Sequence, residues 1–340
     1  MLSRKLLSRF GIDPYLFALI GTVALALTLP ARGAMAVVMD HASFLAVSLL
    51  FFLYGARLAP KAVVEGLTHW RLQSVVFGLT FVLFPILGVA ASAGFASVLP
   101  RDLSQGLLYL TLMPSTIQSS IAFTSIARGN VPAALCSASA SNLIGVALSP
   151  ALVALLMATD GSGISLKAVE DVSLQLLLPF ALGQAVRPFI AGFLHRHKAI
   201  TSIVDRGSIL LIVYVAFAEG TAAGVWSLLS WKALGVVMAL DFAILLIALV
   251  FSTWLARRLG FSKEDEIAIV FCGSKKSMAS GLPMASILFP NAALGLFLLP
   301  LMLFHQIQLF ACAVLAQRYA RRPVAEPAPH RKDAIGLAKG

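Results

Sequence analysis

The sequence predicts an all-α polytopic membrane protein of ten transmembrane helices, arranged as two inverted five-helix repeats. Three observations predict it. Of 340 residues, 59% are hydrophobic and only 12% charged, whereas a soluble domain carries about 25% charged residues. The basic residues are also unevenly spread. With ten spans and a cytoplasmic N-terminus, the inner segments hold 20 of the 26 Lys and Arg and the outer ones only Arg32, Arg101, Lys167 and Lys232; the last two, Lys275 and Lys276, fall inside a span. That asymmetry orients both termini toward the cytoplasm. Finally, the chain repeats its spacing. A break at Pro114 lies 100 residues after Pro14, a break at Gly273 lies 101 after Val172, and each half is 144 residues from start to end. Five spans per half make the halves opposite in topology, and an interrupted helix at the same place in each half marks a secondary-transporter site.

The elements follow in order. Residues 1–13 form a basic cytoplasmic N-terminus with no cleavage site suited to a signal peptide. Asp13-Pro14 reads as a cap followed by proline in the first helical turn. The first repeat covers 14–158, with spans at about Pro14–Leu29, His41–Tyr54, Leu72–Val98 (kinked at Pro85), Leu103–Ala127 and Val131–Ala158. The second covers 172–316, with spans at about Val172–Phe193, Gly207–Trp226, Ala233–Leu255, Ile267–Phe289 and Leu294–Ala316. Residues 317–340 form a basic cytoplasmic tail, predicted disordered beyond Arg322.

Span 4 is interrupted at Pro114-Ser115-Thr116, and span 9 around Gly273–Ser277. The second break carries adjacent lysines. One lysine at the centre of a membrane helix costs about 2.5–3.5 kcal/mol on insertion scales, so Lys275 and Lys276 must face protein or water. Interrupted helices expose backbone N–H and C=O groups that need partners. Around the first break lie Gln118, Ser119 and Ser120, and around the second Ser274, Lys275, Lys276 and Ser277. Hydroxyls, an amide, ammonium groups and half-helix N-termini together favour an anion. Ser139 and Ser141 of span 5 read as small residues for close packing. Asp241, inside span 8, is available to pair with Lys275 or Lys276, or to carry a proton. Glu219 reads as a rim residue, and His305-Gln306 as part of the cavity wall.

Several classes are excluded. The net charge of +11 sits in short loops and tails, as membrane orientation requires, which argues against nucleic-acid binding. Cys136, Cys272 and Cys312 lie in apolar segments at no metal-ligand spacing. No GxSxG, HExxH, phosphate loop or CxxC pair occurs, so neither an enzyme nor a resident cofactor is expected.

With its ten-span pattern, the Ala127-Arg128-Gly129-Asn130-Val131 turn and Ser280-Gly281-Leu282, the sequence resembles the bile acid:sodium symporter family. Gly273-Ser274-Lys275-Lys276-Ser277 and Phe304-His305-Gln306-Ile307-Gln308-Leu309 resemble its sodium/bile acid cotransporter 7 branch and bacterial symporter-like relatives. The resemblance implies a core domain of spans 3–5 and 8–10, in which helices 4 and 9 cross, and a panel domain of spans 1, 2, 6 and 7. It implies two sodium ions behind the crossing. Counting back from Ser280-Gly281-Leu282, however, the family's sodium-ligand glutamate falls at Ser274 and its glutamine at Met278. Neither is a hard-cation ligand comparable to a carboxylate, so the sodium sites near Ser120, Ser274 and Met278 are degenerate.

The resulting expectation is a secondary transporter of a small organic anion in the bacterial inner membrane, surrounded by lipid, as monomer or homodimer. Ser119, Ser120, Lys275, Lys276, Ser277, His305 and Gln306 are the expected substrate residues, and Asp241, Ser274 and Gln118 the coupling or charge-balancing ones. The coupling ion is Na+ or H+. A regulator that keeps the fold without transporting is the alternative, and it requires both lysines to be held by protein carboxylates.

Overall fold

Proline, glycine and serine punctuate a mostly apolar chain, and the helices follow that punctuation. The computed structural model describes residues 14–57, 69–157, 166–222, 224–289 and 294–322, which contain helices and connections but no strand. The capping reading of Asp13 and the disordered-tail reading fall outside these residues.

The first six helices are α1 Pro14–Thr28, α2 Ala34–Arg57, α3 Trp70–Gly78, α4 Phe84–Gly94, α5 Arg101–Thr111 and α6 Gln118–Ile126. They are followed by α7 Val131–Met157, α8 Leu166–Arg196, α9 Lys198–Ala222 and α10 Trp231–Arg258. The last three are α11 Lys263–Gly273, α12 Met278–Leu288 and α13 Leu294–Ala320. Ser230, Ser262 and Ser277 cap α10, α11 and α12, each accepting a backbone N–H three residues on. Glu264, Asp265 and Glu266 add negative charge to the first turn of α11, where the helix dipole favours it.

By length and apolarity, six described helical segments can cross a membrane: Ala34–Arg57, Trp70–Gly94, Val131–Met157, Ala199–Ala222, Trp231–Arg258 and Leu294–Ala320. Two shorter apolar helices, Phe17–Thr28 and Leu178–Leu194, accompany them. Together with the all-helical architecture, this defines a multi-pass integral membrane protein. The interruptions fall where Pro114 and Gly273–Ser277 predict them, between α5 and α6 and between α11 and α12. Other boundaries moved. α2 starts seven residues before His41, and α9 starts at Lys198 rather than Gly207. α2 gains the largely apolar stretch 34–40, and α9 gains a stretch with Thr201, Ser202, Asp205 and Arg206 ahead of its apolar window.

Span 3 contains no simple proline kink. A π-helical turn, Leu79–Leu83, joins α3 to α4. Pro85 has no N–H to give, and the N–H of Phe84 bonds the Leu79 carbonyl, five residues back. The carbonyl of Thr80 therefore loses both its α-helical and its π-helical donor, and this orphan group becomes important below.

Small residues let backbones touch. A Cβ on Gly55 would lie 2.0 Å from the Phe180 carbonyl oxygen, and one on Gly183 would lie 2.0 Å from that of Phe52. This reciprocal contact joins α2 to α8, and Gly106 makes the same approach of α5 to Phe297 of α13. Replacing Gly183 with valine is expected to lower the unfolding temperature markedly, by overpacking worth about 1–3 kcal/mol; a thermal melt in detergent checks it. α9 packs on both α1 and α2, while α13 packs on α5, α10 and α9.

Candidate functional site

The two interruptions lie against each other, and many of the backbone groups they release are paired across them. The hydroxyl of Ser115 donates to the Cys272 carbonyl at 2.6 Å, and that of Ser120 to the Phe271 carbonyl at 2.9 Å. The N–H of Ser277 donates to the Pro114 carbonyl at 2.8 Å. Tyr109 of α5 reaches the Gly281 carbonyl of α12 at 2.7 Å. Neighbouring α7 supplies the rest: Ser149 donates to the Leu112 carbonyl at 2.7 Å and Asn142 to the Ser115 carbonyl at 2.6 Å, while Ser141 accepts from the Ser115 N–H at 3.1 Å. Close packing makes room for this, since a Cβ on Gly145 would strike the Pro114 ring. In a membrane each of these groups would cost several kcal/mol if left unpaired.

Lys276 completes the set. Its ammonium donates to the carbonyls of Thr80, Thr111 and Met113 at 2.8, 2.7 and 2.7 Å, and lies 4.3 Å from the centre of the Phe84 ring. An ammonium has three donors, and here three carbonyls take them. One is the orphan of the π turn; the other two belong to the C-terminal end of α5, where the helix dipole is negative. Gln308 of α13 fixes the Lys276 backbone, accepting its N–H and donating to its carbonyl, both at 2.9 Å. Gln308 also contacts His305 at 2.9 Å.

Lys275 is placed differently. It is fully buried, its Nζ has no hydrogen-bond partner, and it lies 4.2 Å and 5.2 Å from the ring centres of Phe123 and Phe271. Cation–π attraction offsets part of the cost of burying it.

The expected pairing of Asp241 with Lys275 or Lys276 is not formed. Its carboxylate oxygens are buried without a hydrogen-bond partner, on a face of α10 shared with Val237, Ile244 and Leu245. The physical reason is competition: the Lys276 side chain is drawn to the carbonyls that the π turn and the end of α5 leave open. Glu219 is exposed, in keeping with a rim position.

The other expected residues divide into two groups. Ser120, Ser274, Ser277 and Met278 are buried at the interruptions. There Ser274 bonds its own helix at Val270, and Ser277 caps α12. Ser119 bonds Thr116, while His305 and Gln306 are half-buried on α13. Gln118, by contrast, is exposed at the first turn of α6 and lines a cavity of about 350 Å³. Facing it are Arg57 of α2, Leu194 of α8, and Thr201, Ser202 and Asp205 of α9. Arg57 and Asp205 form a bidentate pair, both bonds 2.7 Å, and the Arg57 Nε is buried without a partner. The lysines do not line this cavity. Asn142, Gln308, Arg57 and Asp205 were not among the expected site residues, although an asparagine inside an apolar helix is itself a signal of a required partner.

Below the interruptions a polar cluster ties helix ends together. Arg128 adopts a left-handed φ of 56°, and the following Gly129 has no room for a Cβ beside Ile267. Asn130 then bonds the Glu264 carbonyl and the Asp265 carboxylate. Arg322, from the end of α13, closes the cluster on Ala127, Arg128 and Glu264. Glu266 accepts from Arg257, Lys263 and Tyr319. Burial pushes its carboxyl upward, but these hydrogen bonds outweigh burial and hold it below the usual carboxylate value. A lowered folded value contributes stability above the ordinary carboxylate pKa and loses it on acidification. Glu266→Gln is therefore expected to lower the unfolding temperature at neutral pH. Its gap to wild type should close as pH falls below about 4, in a pH series of thermal melts.

A multi-pass helical membrane protein with two interrupted helices meeting at a polar centre is the architecture of a transporter. The chain belongs to the SBF-like CPA transporter family, which it matches over residues 13–321. It is 53% identical over 315 residues to PA2026 of Pseudomonas aeruginosa, covering 92% of this chain and 95% of that one. It is 49% identical over 311 residues to YfeH of Escherichia coli (strain K12), covering 92% and 94%. With sodium/bile acid cotransporter 7 of Rattus norvegicus it shares 26% identity over 278 residues, covering 80% and 81%.

Proposed function

We propose that this protein is a secondary transporter of a small organic anion that works by alternating access without sodium bound at the interruptions. Six long spans, two shorter ones and two interrupted ones make ten, in keeping with two inverted five-helix repeats. In this reading both termini face the cytoplasm of the bacterial inner membrane. α1, α2, α8 and α9 form the panel, and the remaining helices form the core. The relatives named sodium/bile acid cotransporter 7 support an organic anion as the substrate class.

The observation that carries the reading is the cavity between Gln118 and the Arg57–Asp205 pair, because residues of α2, α8 and α9 meet the interrupted span there, which supports a panel facing a core. An anion there meets the Arg57 guanidinium, which shares the cavity with its Asp205 partner and keeps an unpartnered Nε, together with the first turn of α6. The absence of a sodium requirement is supported by Ser274 and Met278 in place of carboxylate and amide, and by the Lys276 ammonium among the carbonyls. The regulator alternative is less well supported. Lys276 is held by carbonyls and Lys275 has no hydrogen-bond partner, so neither is occupied by a carboxylate.

The test is uptake by proteoliposomes of a radiolabelled organic-anion panel that includes bile acids, with sodium or choline outside and across pH. Saturable uptake that is unchanged in choline is the expected result. Strict, saturable sodium dependence would sink the sodium-independent reading, and no uptake of any anion would sink the transporter reading. A pH gradient that drives uptake would assign coupling to the proton.

A further inference from the structure

We infer that the groove between α10 and α13 is a binding site for an anionic phospholipid. On α10, Leu246, Val250 and Trp254 recur along one exposed stripe that ends in Arg257 and Arg258; on α13, Val314 leads to Arg318. These residues line one groove of about 950 Å³. The stripe from Leu246 to Arg258 rises about 18 Å, enough to seat much of an acyl chain below the headgroup level.

Charge complementarity selects the occupant. Three guanidinium groups from two different helices gather at one end of an otherwise apolar trough. Arg257 is partly engaged, through Nε and one terminal nitrogen on Glu266 at 3.1 and 3.2 Å. The side chains of Arg258 and Arg318 have no hydrogen-bond or ion-pair partner among the described residues. A lone arginine at a helix end serves only orientation and sits in bulk headgroups. Two unpaired ones flanking a trough form a bidentate seat for a phosphate, with the acyl chain held by Val250, Trp254 and Val314. The groove shares no lining residue with the cavity at Gln118, so this inference does not depend on the transported substrate.

The experiment is thermal unfolding of the full chain in nanodiscs of phosphatidylcholine alone or mixed with phosphatidylglycerol. The comparison includes an Arg258→Gln/Arg318→Gln variant and a Val314→Trp variant that fills the trough. The wild type is expected to melt at a higher temperature with phosphatidylglycerol, and both variants to lose that shift. Soluble glycerol phosphate added to phosphatidylcholine discs should reproduce none of it, because the acyl chain is part of the site. Equal melting in both lipids, or a shift retained by both variants, overturns the site. If the arginine variant fails to fold, the Val314→Trp variant alone decides. A lipid-independent dimer in detergent that Val314→Trp dissociates would give the groove to a second copy and also overturn the proposal.

Discussion

Lys276→Met is expected to destabilise the protein by about 3–6 kcal/mol. Three buried carbonyls lose the ammonium donor, at about 1–3 kcal/mol each. Relief from burying a charge offsets part of that loss, and replacing a buried ion can be neutral when its partners are replaced too. Here the partners are main-chain atoms that no substitution at 276 removes, so the loss wins. Lys276→Ala makes a sharper test. It keeps the carbonyls and opens space for a small cation, so methylammonium or ammonium should restore much of the lost unfolding temperature where choline does not. Wild-type stability of the methionine variant would refute the role assigned to the ammonium.

Arg57→Gln is expected to reduce organic-anion uptake at least about tenfold, a loss of roughly 1.4 kcal/mol or more in transport free energy. Asp205→Asn, which keeps the guanidinium, should retain uptake. Both variants lose an ion pair whose partners are 30% and 11% exposed. Solvent screening therefore limits the stability cost of either to about 1–2 kcal/mol, and the two should melt alike. Uptake is the discriminating readout: equal uptake by wild type and Arg57→Gln would remove the cavity from the transport path.

The interruptions were legible in the sequence because proline, glycine and paired lysines are expensive inside an apolar run, and expense implies a reason. What surrounds them was much less legible. The π turn depends on Pro85 together with a lysine side chain 196 residues from Thr80, and no local pattern contains both. Ser141 read as a packing residue, since a hydroxyl that bonds a neighbouring helix and one that merely keeps a side chain small leave the same letter. Arg57 and Asp205 lie at span ends, where charges are expected for orientation, so 148 residues of separation hid a bidentate pair. Asp241 misled for the opposite reason. Buried charges of opposite sign suggest each other, yet the lysine found better company in the main chain.

The covalent attachment of the Lys276 cation has a thermodynamic consequence. An ion that arrives from solution and leaves on the other side transfers the energy of its gradient to the cargo. A cation bonded to the chain begins and ends each turnover in the same place, so it performs no work. A cycle resting on this centre alone would only equilibrate its anion. An inside-negative potential then opposes entry of a monovalent anion by about 2.3 kcal/mol per 100 mV. On those terms, at equal concentrations on the two sides, the downhill direction for a monovalent anion is outward.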